Sequence, residues 1–443
     1  MKIGLFAMSG VRVCDTELLE LGLTLPGFVE RSKTIASLPS LSLITLAGIQ
    51  PEEHEYVYYD IDDIRTLPEL PDDLDLVAIS SFSAQIFEAY QLADYYRNIE
   101  IPVVMGGLHV TVLPEEALRH ADAVVIGEGE SCWLEVLRDA QAQSLQKYYR
   151  SEDTFSFNDA PVPAYGLLDI QKYNRLTIQT SRGCPWHCEF CASSILLTPN
   201  YRQKPVEKVL EEVESVKNIW DQPFIEFADD NSFVNKRYWK ELLPQLKSYN
   251  LRWFTETDLS IYQDEEMLEL MRECGCAAVL IGFESAEADS LDGLELRNNW
   301  KYRHWSEYQE AIDKIQSHGI RVNGCFVLGL DQQKPNIFEE VLRFVEQSEL
   351  YDVQITIQTP FPGTSLYERL KREGRLIHPK AWERCTLFDI MYQPLQMSIE
   401  ELRRGFHHLA KHLYNAESTY RRRERFRKHY LRPLHDTEAH QFF

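Results

Sequence analysis

Short apolar runs closed by turn residues alternate with stretches of helical period from the first residues onward. KIGLFAM (2–8), EYVYYDI (55–61), LDLVAIS (74–80), IPVVMGG (101–107) and ADAVVIGEGE (121–130) read as buried strands. QIFEAYQLADYYRN (85–98) reads as a helix between the third and fourth of them. A polar stretch, SEDTFSFNDAPVPAYGLLD (151–169), then shows no sustained period. A second series follows: RLTIQTSRGC (175–184), PFIEFADDN (223–231), RWFTETDL (252–259), AAVLIGFES (277–285), RVNGCFVLGLD (321–331) and VQITIQTPFPGT (353–364). Beyond it only helical period remains, in 365–376 and 398–430.

Strands alternating with helices make parallel sheets, so the fold class is α/β. Residues 1–145 read as a Rossmann-like doubly wound domain, 146–173 as a linker, 174–365 as a partial (β/α)6 barrel and 366–443 as a helical carboxyl-terminal region. In both architectures ligands sit at the carboxyl ends of strands. The small and polar residues of this sequence gather there: Ser80, Ser81, Ser83, Gly106, Gly107, Gly127 and Gly129 in the first series, and the unusual polar motifs of the second.

Composition narrows the function classes. With 26% charged and 44% hydrophobic residues over 443 positions, the chain is folded and multidomain. A net charge of -23 excludes a general nucleic-acid binder, which needs cations against phosphates. A local basic crowd of Arg421, Arg422, Arg423, Arg425, Arg427 and Lys428 around Glu424 reads as a solvated helix end, with an anionic lipid, a phosphorylated substrate or a protein partner as alternatives. No run approaches the roughly 18 apolar residues of a membrane span, and MKIGLFAMSG lacks a signal peptide's apolar region. The expected location is cytoplasmic, with peripheral membrane contact the remaining association. Nine cysteines in a reducing compartment are buried thiols or metal ligands.

Three of them, Cys184, Cys188 and Cys191, fall in SRGCPWHCEFC just after the first strand of the second series. Thiolates are soft ligands suited to iron–sulfur clusters and zinc. A structural zinc site closes with four protein ligands, whereas a three-cysteine cluster leaves one iron open to substrate. The zinc alternative needs His187 or a distant residue as the fourth ligand, and His187 adjoins Cys188 too closely to share one tetrahedron easily.

With Phe190 before the last cysteine, this motif resembles the signature of the radical S-adenosylmethionine (SAM) superfamily. The resemblance implies a 4Fe-4S cluster on the three cysteines, SAM chelated through its amino and carboxylate groups at the open iron, and Phe190 near the adenine. Reductive cleavage of SAM then yields a 5'-deoxyadenosyl radical. FADDN implicates Ala228, Asp229 and Asp230 with the methionine moiety, in place of the family's commoner glycine-glycine-glutamate. Glu256 and Glu284, at later strand ends, suit ribose hydroxyls or the ammonium, and Gly329, Thr359 and Pro360 match segments that flank adenine.

The first series, joined to that triad, resembles the cobalamin-binding domain of cobalamin-dependent radical SAM enzymes, a likeness covering roughly residues 1 to 370. It implies cobalamin contacts at Leu41, Ser80, Ser81, Ser83, Gly106, Gly107, Leu108, His109, Thr111, Gly127, Glu128, Gly129 and Glu130. The Asp-x-His-x-x-Gly motif is absent, so no histidine is expected on cobalt, and His109 is assigned to the corrin periphery. Methylthiotransferases are excluded, because the first half has only Cys14 and Cys132. Cys274, Cys276, Cys325 and Cys385 lack the spacing of an auxiliary cluster.

The implied activity is methylation of an unactivated carbon of a small molecule, natural product or lipid, through the deoxyadenosyl radical and methylcobalamin. A flavodoxin- or ferredoxin-type reductant would supply electrons. The alternatives are cyclisation, oxidation or rearrangement without methyl transfer, and a non-catalytic cobalamin-binding regulatory or electron-transfer protein. The aromatics Trp300, Tyr302, Trp305 and Tyr308 read as a helix packing face or as the lining of a substrate entrance.

Overall fold

Each apolar run of the sequence forms a strand. The first series gives β1 (Lys2–Met8), β2 (Glu55–Asp60), β3 (Leu76–Ser81), β4 (Val103–Gly106) and β5 (Ala123–Ile126). The computed structural model describes residues 1–8, 10–20, 38–50, 52–66, 69–150, 154–193, 201–432 and 434. A sixth strand, β6 (Tyr148–Arg150), lies inside the stretch read as linker and extends the sheet to the order β2-β1-β3-β4-β5-β6, all parallel. Its exposed, buried, exposed pattern spans only three residues, too few to show a period.

The order reverses between β1 and β3, which opens the ligand crevice of a doubly wound sheet at their carboxyl ends. The second series gives β7 (Leu176–Ile178), then a small antiparallel pair, β8 (Ser181–Arg182) with β9 (Arg202–Gln203). It continues with β10 (Phe224–Phe227), β11 (Arg252–Thr257), β12 (Cys276–Glu284), β13 (Arg321–Leu328) and β14 (Asp352–Ile357). Apart from the small pair these form a second parallel sheet, ordered β14-β13-β12-β11-β10-β7.

The carboxyl-terminal region is more than an appendage. Tyr367, Trp382, Cys385 and Met391 join the core on one face of the first sheet, beside Phe6, Val110 and Ala117. Phe388, Leu402, Phe406 and Leu409 join the core of the second. Burial of this kind contributes about 25 cal/mol per Å², so the region clamps both sheets at once. Among the described residues no helix is long and apolar enough to cross a membrane.

Candidate active site between the two sheets

The cysteine loop follows β8, and polar groups pin it on every side. Asp229, at the end of β10, accepts from the backbone of Thr180 (2.7 Å) and Ser181 (2.9 Å) and from the Thr180 hydroxyl (2.5 Å). Asp230 accepts from the Gly183 amide at 3.0 Å. Cys188 pairs in an isolated antiparallel bridge with Glu295, whose buried carboxylate accepts from the amides of His187 (3.1 Å), Arg297 (3.1 Å) and Asn298 (2.6 Å). Those backbone bonds outweigh burial and hold Glu295 below the usual carboxylate range. On the far side Arg369 grips Glu189 with two nitrogens, at 2.6 and 3.0 Å, and reaches Asp331 at 2.6 Å.

The three cysteines are partly buried. Burial pushes the Cys184 thiol up to about 11 and that of Cys188 higher still, and both are also raised by the other thiols of the loop. Among the described residues no three cysteine, histidine, aspartate or glutamate side chains, these three included, are drawn together as a ready-made metal-ligand group. Trp186 stacks on Trp300 with ring centroids 4.9 Å apart and donates to Asp258 at 2.9 Å, where Asn231 also donates at 2.8 Å.

Beside this loop lies a buried ion pair that sequence reading missed. Lys301 donates to Glu284 at 2.7 Å and to the Gly282 carbonyl at 2.6 Å. Burial opposes its charge, but Glu284 and Cys188 hold the ammonium above its ordinary range. Glu284 has φ +64°, just past a register shift in β12 that faces it toward the lysine. A side chain at Gly282 would collide with the Glu284 carboxylate, so this pair needs glycine there.

Glu256 of β11 faces the same lumen and has no hydrogen-bond partner among the described residues. Glu256 is open to this lumen rather than covered by protein; crowding by the lumen walls, followed by the nearby carboxylates Glu226, Asp230 and Glu284, pushes its carboxyl up to about 8. The folded chain then holds a proton that the unfolded chain releases in the ordinary carboxyl range. Wild-type stability therefore falls as pH rises from that range to about 8, by less than a fully covered carboxyl would cause because water reaches Glu256, and is flat above. Glu256→Gln removes the effect, so its melting temperature gains on wild type through that window in thermal scans; a pH-independent difference would refute this placement.

The opposing wall is the carboxyl edge of the first sheet. Gly107 (φ +99°) and Gly127 (φ +87°) leave bare backbone there, and nothing lies within 4 Å of where a Gly127 side chain would start. The Gly127 amide donates to Thr111 Oγ1 at 3.0 Å. Phe82 and Leu108 stand 51% and 40% exposed at this rim. Across the gap Arg182, two residues before Cys184, donates to Glu128 at 2.7 Å and also pairs with Glu130. Arg202 reaches Glu128 at 2.7 Å. The glycine-rich turn of one sheet is thereby fastened to the cysteine loop of the other.

Two family models match this pair of walls: the radical SAM superfamily over residues 178–345 and the B12-binding domain over 57–137. The chain is a cobalamin-dependent radical SAM enzyme. Its cofactors are a 4Fe-4S cluster, SAM and cobalamin. A further model, a domain of unknown function, matches residues 364–442. Among curated relatives, the bacteriochlorophyllide d C-12(1)-methyltransferase of Chlorobaculum tepidum is 26% identical, over 87% of this chain and 84% of that protein. The anaerobic magnesium-protoporphyrin IX monomethyl ester cyclase of Cereibacter sphaeroides is 24% identical, over 71% of this chain and 58% of that protein. Among solved structures, the radical SAM methyltransferase TsrM from Kitasatospora setae, with cobalamin and a 4Fe-4S cluster bound, superposes with a TM-score of 0.68 at 14% identity, covering 94% of this chain and 89% of that one.

The residues present fit these groups. Three partly buried soft thiols on one pinned loop suit a cluster, an unpartnered lumen carboxyl suits a cationic ligand, and bare glycines beside exposed Phe82 and Leu108 suit a large flat one.

Several residues expected at ligands are engaged elsewhere in this enzyme. The Asp229 carboxylate is buried and spent on tying β10 to the loop's stem. His109 is 1% exposed, with Nδ1 3.0 Å from the Ser83 hydroxyl, Nε2 3.5 Å from Glu116 and the Trp382 ring against it. Its imidazole is sealed in the domain core, so a contact with the corrin periphery is not available to it. Glu128 and Glu130 give their carboxylates to the arginines, which leaves their backbone for a ligand. Ser81 donates to the Phe82 carbonyl at 2.8 Å.

Gly329 (φ +90°) is capped by Tyr392, which donates to its carbonyl at 2.6 Å; Thr359 is buried and donates to the Ile357 carbonyl at 3.0 Å, and Pro360 is buried beside it. Phe190 packs toward Leu366, Leu370 and Tyr392. Ala228 continues β10, its amide donating to the Ile178 carbonyl at 2.9 Å. Leu41 packs against the core of the second sheet, and Ser80 and Gly106 face each other across β3 and β4. Among the aromatics, Tyr308 donates to the Phe283 carbonyl at 2.8 Å and Trp305 to that of Ala286 at 3.1 Å, both packing roles, whereas Tyr302 is 41% exposed.

Proposed function

We propose that this enzyme methylates an unactivated carbon of a bulky, largely apolar small molecule or lipid, bound between the cysteine loop and the glycine-rich rim of the first sheet. The fastening of Arg182 to Glu128 and Glu130 carries the reading, because it sets the two cofactor-bearing walls against one another. When bound, the cluster with SAM supplies a 5'-deoxyadenosyl radical and cobalamin supplies the methyl group.

This chain's residues bind and orient. Cys184, Cys188 and Cys191 would hold the 4Fe-4S cluster through their thiolates. Glu284, fixed by Lys301, and Glu256 would face the cationic end of SAM, whose charge would favour the ionised form of Glu256. The bare backbone at Gly107, Gly127 and Gly129, with Ser80 and the Thr111 hydroxyl that already holds the Gly127 amide, would face the rim of cobalamin, and Phe82 and Leu108 would cover its apolar face. Holding the acceptor carbon between two fixed cofactors replaces a rare three-body encounter with one bound geometry. A flavodoxin- or ferredoxin-type carrier in the cytoplasm supplies the electrons.

The test uses SAM carrying a labelled methyl group, with anaerobically reconstituted enzyme and candidate tetrapyrrole or lipid acceptors. Label in the product, with S-adenosylhomocysteine formed alongside deoxyadenosine, is the expected result. Substrate turnover with deoxyadenosine but no label in the product would instead establish ring formation or oxidation, the activity class of the cyclase relative.

A further inference from the structure

The module without known function, residues 364–442, helps form a cavity of about 380 Å³ between the helices Ile337–Gln347, Ile399–Tyr414 and Ala416–Phe426. Arg422, on its lining, lies 3.7 Å from Asp352 at the start of β14. The cavity therefore sits at the amino ends of the barrel strands, the opposite end from the cysteine loop.

Its lining runs against the character of the chain. In a protein of net charge -23, Arg343, Arg421, Arg422 and Arg425 line one cavity over Leu342 and Leu413, outnumbering the two acids on its wall, Glu339 and Glu346, of which Glu339 is 3.3 Å from His408. Arg421 and Arg425 are four apart on one helix, where like charges repel across a turn. Other bases nearby take a close acid, as Arg427 takes Glu424 at 2.6 Å and Arg403 takes Glu400 at 3.1 Å. Here the pairing is thin. Arg425 has no acidic partner among the described residues and donates to the Glu346 backbone carbonyl at 3.2 Å. Arg421 comes only within 3.9 Å of Glu346. Arg343 gives one nitrogen to Glu340 at 2.5 Å. Arg422 donates to the Leu413 carbonyl at 2.8 Å and stays buried at the cavity wall.

We propose that this cavity binds a phosphate group between Arg343, Arg421 and Arg425, with the apolar body of the same ligand against Leu342 and Leu413. Guanidinium forks match phosphate oxygens two at a time, and a doubly charged anion relieves the repulsion between Arg421 and Arg425. The phosphate comes from a soluble phosphorylated molecule or from a lipid headgroup. The proposal does not depend on the methyl-transfer reading.

The test uses the full chain, with inorganic pyrophosphate in calorimetry and with vesicles of phosphatidylglycerol, or of phosphatidylcholine alone, in flotation. The variant is Arg421→Gln with Arg425→Gln, and the control is Arg404→Gln, a base 71% exposed beside Glu400. Wild type and control bind, the double variant binds about tenfold or more weakly, and salt weakens all binding. The double variant melts no lower than wild type, since a repulsive pair has gone, so lost binding does not report unfolding. Pyrophosphate binding assigns a soluble ligand; binding to phosphatidylglycerol vesicles, but neither to pyrophosphate nor to phosphatidylcholine, assigns a headgroup. No binding by wild type to either anionic probe, or equal binding by the double variant, overturns the proposal.

Discussion

Cys188→Ala protein, reconstituted anaerobically with iron and sulfide, should form no detectable 5'-deoxyadenosine from SAM and dithionite while still binding cobalamin. Three thiols serve this site, and the nearby carboxylates are engaged elsewhere, Asp230 with the Gly183 amide and Glu284 with Lys301. Removing a ligand leaves two, too few to hold a cluster with one open iron. The loss stays local because the loop is anchored by groups other than the thiol: the Glu295 carboxylate, the paired backbones of 188 and 295, and the Arg369 fork on Glu189. The glycine-rich rim belongs to another sheet and is untouched. Deoxyadenosine by chromatography and cobalamin by visible absorbance separate the two effects; retained cleavage would mean that these cysteines are not the cluster's ligands.

The second largest effect belongs to Arg182. Arg182→Met removes the cation that, among the described residues, alone pairs with Glu130, and one of the two that pair there with Glu128. Burial opposes the guanidinium's charge, but these carboxylates hold it above its ordinary range, so the charges are mutually dependent. Breaking a buried pair by removing one partner costs about 3–5 kcal/mol. Chemical denaturation should show that loss, and cobalamin affinity should fall with it, since the rim is no longer pressed toward the loop. Arg182→Lys, which keeps the charge but loses the fork, should fall between. Unchanged stability in Arg182→Met would mean that the contact between the sheets does not depend on this pair.

Much of the architecture was legible because its strands are buried on both faces and read as unbroken apolar runs. All eleven runs became strands, and the cysteine spacing located the loop. What escaped reading depends on distance in sequence. Lys301 meets Glu284 across 17 residues and an irregular turn, and no local pattern marks the pairing. Asp229 and His109 sit at strand ends as expected, yet the fold turns both side chains inward, a choice made by partners such as Thr180 and Trp382 that sequence position does not reveal. Trp382 itself shows why the carboxyl-terminal region read as separate: helical period says which face is apolar, not which sheet will cover it. Strand β6 was lost to brevity. The paired acids of Gly127-Glu128-Gly129-Glu130 were legible as a motif, but their arginine partners lie more than fifty residues on.

Whether the two cofactors face each other across the Arg182 contact is the central claim, and electron paramagnetic resonance tests it most directly. Enzyme holding both a reduced cluster and cob(II)alamin should show a magnetic coupling between them, seen as broadened and fast-relaxing cob(II)alamin lines, and that coupling should disappear when Cys188→Ala removes the cluster. Cob(II)alamin lines with the same width and relaxation in both proteins would place the cofactors too far apart to share a substrate, and would contradict the account.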